Sequence, residues 1–428
     1  MTNQSPSPRV EISNRFPSYA QFSPLVPVWR ITPDDMPGCI HRFFDTSPVS
    51  PSGRYAGLTR LLDEARPPVF NDEAEIVVVD LQEGEAKAVA RTRGFDAQLG
   101  AGVQWGRDDG ELYYNDLDLD NWRPFAVRLD IRSGEKTELE GPVYMVSPDG
   151  GKLASPCLLR TALTQGGYGV AAPPCRIPHN EPADPGDGLY ITDADTGKCS
   201  MLVSLAEILE ALPELAAEVS DRKGAFYGFH VKWNRQGDRL MFVVRHLPLR
   251  SSDKMMKAVV TMKADGSDIR LALPCKVWDR GGHHPDWCPD GEHILQNLAM
   301  ESKILRFVRF RYDGSGLVDL APGIVGGGHP TLHPDGKHIL TDAYQKEAVA
   351  YGDGTTPLRW VNLEDRAEQA AVRIRTLSAH DAPLSILRVD PHPAWAPCFR
   401  RAVFNGCPDG RRHVFLADFS DLLGEGGP

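Results

Sequence analysis

The sequence predicts an all-β chain: a seven-bladed β-propeller with a helical insertion in the third blade. Three observations lead there. A turn phrase recurs seven times, a second strand pair follows most copies, and the composition turns often. Gly 40 and Pro 35 in 428 residues make roughly one residue in six, above the usual share of about 12%. A chain so punctuated suits short strands better than long helices.

The phrase is an apolar strand, a turn built on Asp-Gly or a degenerate form of it, and a second apolar strand. Its copies are SPVSPSGRYAGLTRL (47–61), QWGRDDGELYYND (104–116), YMVSPDGGKLAS (144–155) and VKWNRQGDRLMFVV (231–244). It returns as HPDWCPDGEHILQ (284–296), HPTLHPDGKHILTDAY (329–344) and HPAWAPCFRRAVFNG (392–406). Each copy is a β-hairpin signal. A second hairpin follows most of them, as in VVVDLQEGEAKAV and VRLDIRSGEKTEL. Two hairpins make the four strands of one propeller blade. The competing arrangement is an open β-sandwich array.

The expected domain is single and spans 1–428. Residues 1–45 form an N-terminal extension with a closure strand, and 160–225 a loop and helix insertion. That insertion holds the clearest helix of the chain, SLAEILEALPELAAEVSD (204–221). Ser204 as N-cap and Glu207 three residues on predict a capping box, and Pro213 predicts a kink or two short helices.

Composition also excludes. Net charge is −11, with 47 Lys+Arg against 58 Asp+Glu, and no dense basic cluster exists to bind phosphate backbones, so nucleic acid is not an expected partner. No run of about 18 apolar residues predicts a membrane span. The opening MTNQSPSPRVEISNRFPSYAQFSPLVPVW lacks the regions of an export signal. Eight cysteines lie scattered without CxxC pairs, which predicts reduced thiols and a cytoplasmic location. No GxSxG elbow, P-loop or GxGxxG is present. The acidic pairs Asp108/Asp109 and Asp116/Asp118/Asp120 fall on turns and read as solvated.

Histidines are more informative. His230, His284, His329 and His392 each stand three residues before the Trp or Leu that precedes a turn. Equivalent positions in neighbouring blades point at one region, so these imidazoles can share a divalent metal with Asp390 or Asp286 as oxygen ligand. Equally, His-Pro can be a structural signature packed between blades. If a metal is shared, His284, His329 and His392 lie within about 5 Å of one another, since metal–nitrogen bonds run about 2.0–2.2 Å. His230 and Cys275 are further candidates for a structural site. Tyr144 opens the third copy and Arg160 ends the strand after it, before the Gly-rich LTQGGYG. On one hairpin the two would project to the same end. An Arg beside a Tyr favours its ionised form and suits it to proton transfer; a core Tyr and a surface Arg is the alternative.

The runs FDAQLGAGVQW (95–105), YNDL (114–117), YMVSPDGGKLAS, LLRTALTQGGYG (158–169), FHVKWNRQGDRLMFVVRH (229–246), GGHPTLHPDGKHILTDAY (327–344) and RVDPHPAW (388–395) resemble the seven-bladed propeller polysaccharide lyases. That group contains oligogalacturonate, ulvan and rhamnose–glucuronate lyases, and the resemblance covers about residues 45–420. It implies β-elimination at a uronate, in which a Tyr and two His handle protons while an Arg or a metal neutralises the carboxylate. Tyr144 and Arg160 stand where the family has its catalytic Tyr and Arg. The family's histidine pair has no counterpart: the only His upstream of Tyr144 is His41, and the expected segment reads Phe-Asp-Ala-Gln-Leu-Gly. Asp96, Gln98 and Gln104 stand there and, with Tyr168, are the expected substrate-lining residues. For the oligogalacturonate branch the resemblance implies a divalent metal (Mn, Ca or Zn). His284, His329 and His392 are its corresponding ligands, with Asp390 in the place of a second His of an HPH run.

Three functions follow from the sequence: a lyase on uronate-containing oligosaccharides, a propeller that binds such sugars without cleaving them, or a protein-interaction scaffold. Fold alone does not choose among them.

Overall fold

A computed structural model describes residues 10–250, 253–377 and 386–424. The chain is a seven-bladed β-propeller of seven antiparallel four-stranded sheets. Each turn phrase joins the first two strands of a blade. The strands pair in chain order within blades one to six, and the seventh borrows its outer strand from the N-terminus.

Two compact units are present. One comprises Met1–Asp116, Val127–Thr137 and Gly327–Pro428. It holds blade one (Cys39–Ile40, Tyr55–Leu61, Ala74–Asp80, Glu85–Thr92) and blade six (Thr331–Leu332, His338–Thr341, Thr355–Asn362, Ala367–Arg375). It also holds blade seven, in which Ala394–Trp395, Arg401–Gly406 and His413–Asp418 are completed by Val28–Arg30. The other unit comprises Leu117–Ala126 and Glu138–Gly326. It holds blade three (Met145–Val146, Lys152–Ser155, Gly188–Asp193, Cys199–Ser204) and blade four (Gly224–Trp233, Arg239–Pro248, Met256–Lys263, Arg270–Leu273). Blade five is Gly282–Trp287, His293–Ala299, Leu305–Arg311 and Val318–Asp319. Blade two (Gln104–Trp105, Glu111–Asp118, Arg123–Asp130, Lys136–Glu138) contributes strands to both.

The sequence placed its boundaries imperfectly. The range 160–225 is not a pure insertion, because it carries the two outer strands of blade three. Arg160 does not end a strand; it lies in the helix Leu158–Thr164, whose Leu, Arg and Ala are good helix formers. The capped helix is real but ends at Ala211. Ser204 accepts from the Glu207 amide while Glu207 reaches back to the Ser204 amide, and a second short helix, Pro213–Ala217, begins at the proline. Both follow the last strand of blade three. The first strand of blade one, Cys39–Ile40, falls inside the stretch read as an extension. No helix among the described residues is long and apolar enough to cross a membrane.

The turns explain the recurring phrase. Gly53, Gly150, Gly237, Gly291 and Gly336 occupy equivalent turn positions with φ of +85°, +70°, +71°, +71° and +70°, a region costly for any side chain. The seventh copy lacks the glycine, and Phe399 takes the same conformation at φ +52°. At Gly336 an added Cβ would meet nothing within 4 Å, so Gly336→Ala isolates the backbone cost. Urea unfolding should show a loss of about 1 kcal/mol; an unchanged midpoint would mean the turn relaxes.

Candidate functional site

In the first unit, His329, Asp390 and His392 bring one ligand atom each within 4.8 Å of the others, and all three are buried. His329 and His392 each sit two residues ahead of the first strand of their blades, Thr331–Leu332 and Ala394–Trp395. Their rings meet edge to face at 4.2 Å between centroids. Phe43 lies 4.7 Å from the His392 ring, and Phe44 lies 5.2 Å from that of His329. These apolar walls strengthen any electrostatic interaction inside them.

One carboxylate organises the group. Asp342, just past the strand His338–Thr341, accepts hydrogen bonds from the backbone N–H of His329 at 2.7 Å and of His392 at 2.9 Å. Its oxygens also lie 2.9 and 3.0 Å from His329 Nδ1. Burial alone would raise the Asp342 pKa, but the His329 imidazole and these hydrogen bonds hold it below the usual carboxylate range. An ionised carboxylate only accepts, so it faces an Nδ1–H of His329 and fixes the orientation of that ring. His392 is held at φ +49°, a conformation that costs a non-glycine residue about 1–3 kcal/mol and persists where its surroundings fix it.

Two imidazoles and a carboxylate are a donor set for divalent transition metals, manganese, iron and zinc among them. Ligand atoms about 2.0–2.2 Å from an ion would sit somewhat closer together than the widest separation here, a small inward shift. Asp390 Oδ2 also accepts from Arg388 Nε at 2.8 Å, which orients the carboxylate. The residues therefore fit a divalent metal.

The other expected residues distribute differently. His284 is not a member of this group; it belongs to the second unit, where its ring lies 4.5 Å from that of His283 and the two Nδ1 atoms are 2.8 Å apart. Gln98 is buried and donates to the carbonyls of Ile386 at 2.7 Å and Arg388 at 3.1 Å, tethering the segment that leads into Asp390. Asp96 accepts from the amides of Gln98 and Leu99 at 2.9 and 2.6 Å, and Gln104 donates to the Gly102 carbonyl at 3.0 Å. These bonds hold loop backbone. Asp342 escaped the sequence reading, although its place after a strand, 13 residues beyond His329, is where a hairpin brings its side chain back.

The second unit gathers aromatic and basic side chains. Tyr144 lies immediately before the strand Met145–Val146, its ring 5.3 Å from His230. Tyr168 is 6.0 Å from His230 and 5.2 Å from Phe229, and Phe229 stacks on His230 at 3.9 Å. Over Phe229 lies the guanidinium of Arg245, its Cζ 3.2 Å from the ring centroid. Burial draws the Arg245 pKa down to about 9, against the pull of the Tyr168 and Tyr144 hydroxyls. Lys257 is drawn down to about 8, first by burial, then by Arg245 and Lys254, with Asp279 opposing. Arg160 faces other groups. It pairs with the buried Asp187 at 3.5 Å, and Cys157 and Tyr190 are its further electrostatic neighbours. Burial pushes the Cys275 thiol up to about 12, which leaves it protonated and a poor ligand.

No protein-family model and no curated protein matches the chain. Among solved structures it is similar to an oligogalacturonate lyase in complex with manganese, at 16% identity and TM-score 0.63 over 95% of this chain and 97% of that one. It is also similar to an oligogalacturonate lyase from Vibrio parahaemolyticus, at 15% identity and TM-score 0.62 over 96% of this chain and 98% of that one. The β-propeller domain of the Trilobed protease from Pyrococcus furiosus follows at 11% identity and TM-score 0.51, over 89% and 96%. At such identities the likeness is one of fold.

Two predictions come from this geometry. Asp342→Asn removes the charge that orients His329, so manganese titrated calorimetrically should bind about 10–100-fold more weakly, and His392→Ala should abolish the heat. The Lys257 shift has a defined sign. Its folded pKa of about 8 lies below the unfolded value of about 10.4, so the unfolded chain binds more protons between the two. Stability relative to Lys257→Met should therefore rise as pH climbs through that window; urea unfolding at pH 7.5, 9 and 10.5 checks it.

Proposed function

We propose that this chain is a lyase that cleaves uronate-containing oligosaccharides by β-elimination. The observation that carries this reading is the convergence of His329, Asp390 and His392 under the control of Asp342, in a propeller similar in fold to an oligogalacturonate lyase in complex with manganese. A divalent ion bound by that group would supply a positive charge able to neutralise a carboxylate of an acidic sugar.

In the elimination a base takes the C5 proton, the C4–O4 bond breaks, a C4=C5 double bond forms and the departing oxygen is protonated. Tyr144 and His230, ring against ring in the second unit, are assigned to hold and move these protons. Arg160, paired with Asp187, is assigned to fixing the helix Leu158–Thr164 beside the Gly-rich segment carrying Tyr168. A cytoplasmic location belongs to the same proposal, supported by eight free cysteines. Binding without cleavage is the second reading, favoured by the Phe-Asp-Ala-Gln-Leu-Gly segment where the resembling lyases carry a histidine.

The test is ultraviolet absorbance of the unsaturated product with a panel of uronate oligosaccharides. Absorbance should rise with wild type, fall on treatment with a chelator and return with manganese. Tyr144→Phe should slow turnover by about 10²–10⁴-fold while sugar binding persists. A panel that binds but never absorbs selects the second reading.

A further inference from the structure

The register of blade four sets two cations side by side. Arg245 lies directly opposite Lys257 across the strands Arg239–Pro248 and Met256–Lys263, so the two side chains leave the same face of the sheet. Like charges in facing positions destabilise a sheet, and burial makes the repulsion worse because water no longer screens it.

The surroundings do not cancel that charge. Arg245 is only 7% exposed. Its Nη1 donates to the Thr164 carbonyl at 3.3 Å and to Gln165 Oε1 at 2.9 Å, both neutral acceptors, and its Nε is buried without a partner. Beneath it lies Phe229, and its electrostatic neighbours are the hydroxyls of Tyr168 and Tyr144. Lys257, partly exposed, sits 5.0 Å from the Trp278 ring and 3.5 Å from the Gly282 carbonyl. The carboxylate acting on it, Asp279, is already paired with Lys254 at 2.7 Å. A buried guanidinium in a structural role normally finds a carboxylate or a full set of acceptors. Arg245 has neither among the described residues.

We infer that Arg245 and Lys257 form a receptor for one carboxylate of an acidic ligand, with Lys257 at its accessible side and the guanidinium behind. This rests on the acidic-oligosaccharide reading for the identity of the ligand as a uronate. An incoming carboxylate gives the two cations a shared counter-charge and gives Arg245 the acceptor it lacks, and charge-assisted bonds of this kind are the strong ones.

Calorimetric titration of the full chain with tri-galacturonate and with its methyl ester tests this, since the two differ in charge and hardly in shape. Wild type should prefer the acid at least tenfold, and Arg245→Gln and Lys257→Gln should each reduce that preference to about twofold or less. Should Arg245→Gln fail to fold, as judged by circular dichroism, the partly exposed Lys257→Gln decides alone. Full preference retained in a folded variant overturns the receptor while the acidic-sugar reading stands. If wild type binds neither sugar, the acidic-sugar reading falls and glutarate decides the site. A saturable heat of glutarate binding that Lys257→Gln loses upholds the receptor, and no heat with wild type removes it.

Discussion

The seventh blade is incomplete without the start of the chain. Its first three strands end in His413–Asp418, whose outer edge would otherwise expose a row of backbone donors and acceptors. Val28, Trp29 and Arg30 pair with Ala417, Leu416 and Phe415. Just outside the strand, the Ile31 amide donates to Val414 and the Asp418 amide to Pro27, both at 2.9 Å. The side chains follow the backbone: Val26 and Val28 join a buried cluster with Phe415, Trp360 and Trp395, while Ile31 joins another with Val77, Val403 and Leu416. Apolar contacts from blades one, six and seven thus depend on three residues brought from the far end of the sequence. Such closure moves the outer edge from the six-residue strand His413–Asp418 to the three-residue strand Val28–Arg30.

The metal-fitting group depends on this scaffold in a specific way. His329 belongs to blade six and Asp390 and His392 to the approach to blade seven, so no local segment can assemble them. Asp342 joins the two by accepting from both backbones and from one ring. Gly328 is required beside it: at φ +62° an added Cβ would stand 2.1 Å from the Asp342 carbonyl oxygen. A small residue, a buried carboxylate and a left-handed histidine form one unit, and each has its geometry dictated by the other two.

Much of the fold was legible because its signals are local. The Asp-Gly turns, the alternating strands and the Ser204–Glu207 capping box are written within a few residues of one another. The His-Pro positions were legible as a repeat, and His329, His392 and Asp390 were selected on that basis. Arg160 was misplaced because Leu-Leu-Arg-Thr-Ala-Leu-Thr reads as a strand only if periodicity is ignored; its composition is helical. Arg245 was unreadable for a different reason. Its significance lies in standing opposite Lys257, and that register is set by the intervening chain and the pairing of two ten- and eight-residue strands, not by any motif.

The repeat itself shows how one sequence position yields several chemistries. His230, His284, His329 and His392 occupy the same slot ahead of a blade's first turn, yet their neighbours differ. His329 has a carboxylate on Nδ1. His392 has its backbone turned left-handed, with its amide on the same carboxylate. His284 also has a positive φ, +59°, but its contact is another histidine, so the same strain accompanies a different environment. His230 is stacked on Phe229 with two tyrosines near its ring. The slot aims an imidazole; the second residue that touches it decides whether that imidazole is suited to a metal, to a proton or to packing. A histidine repeat in a propeller therefore identifies positions, and the buried carboxylates and cations around them identify function.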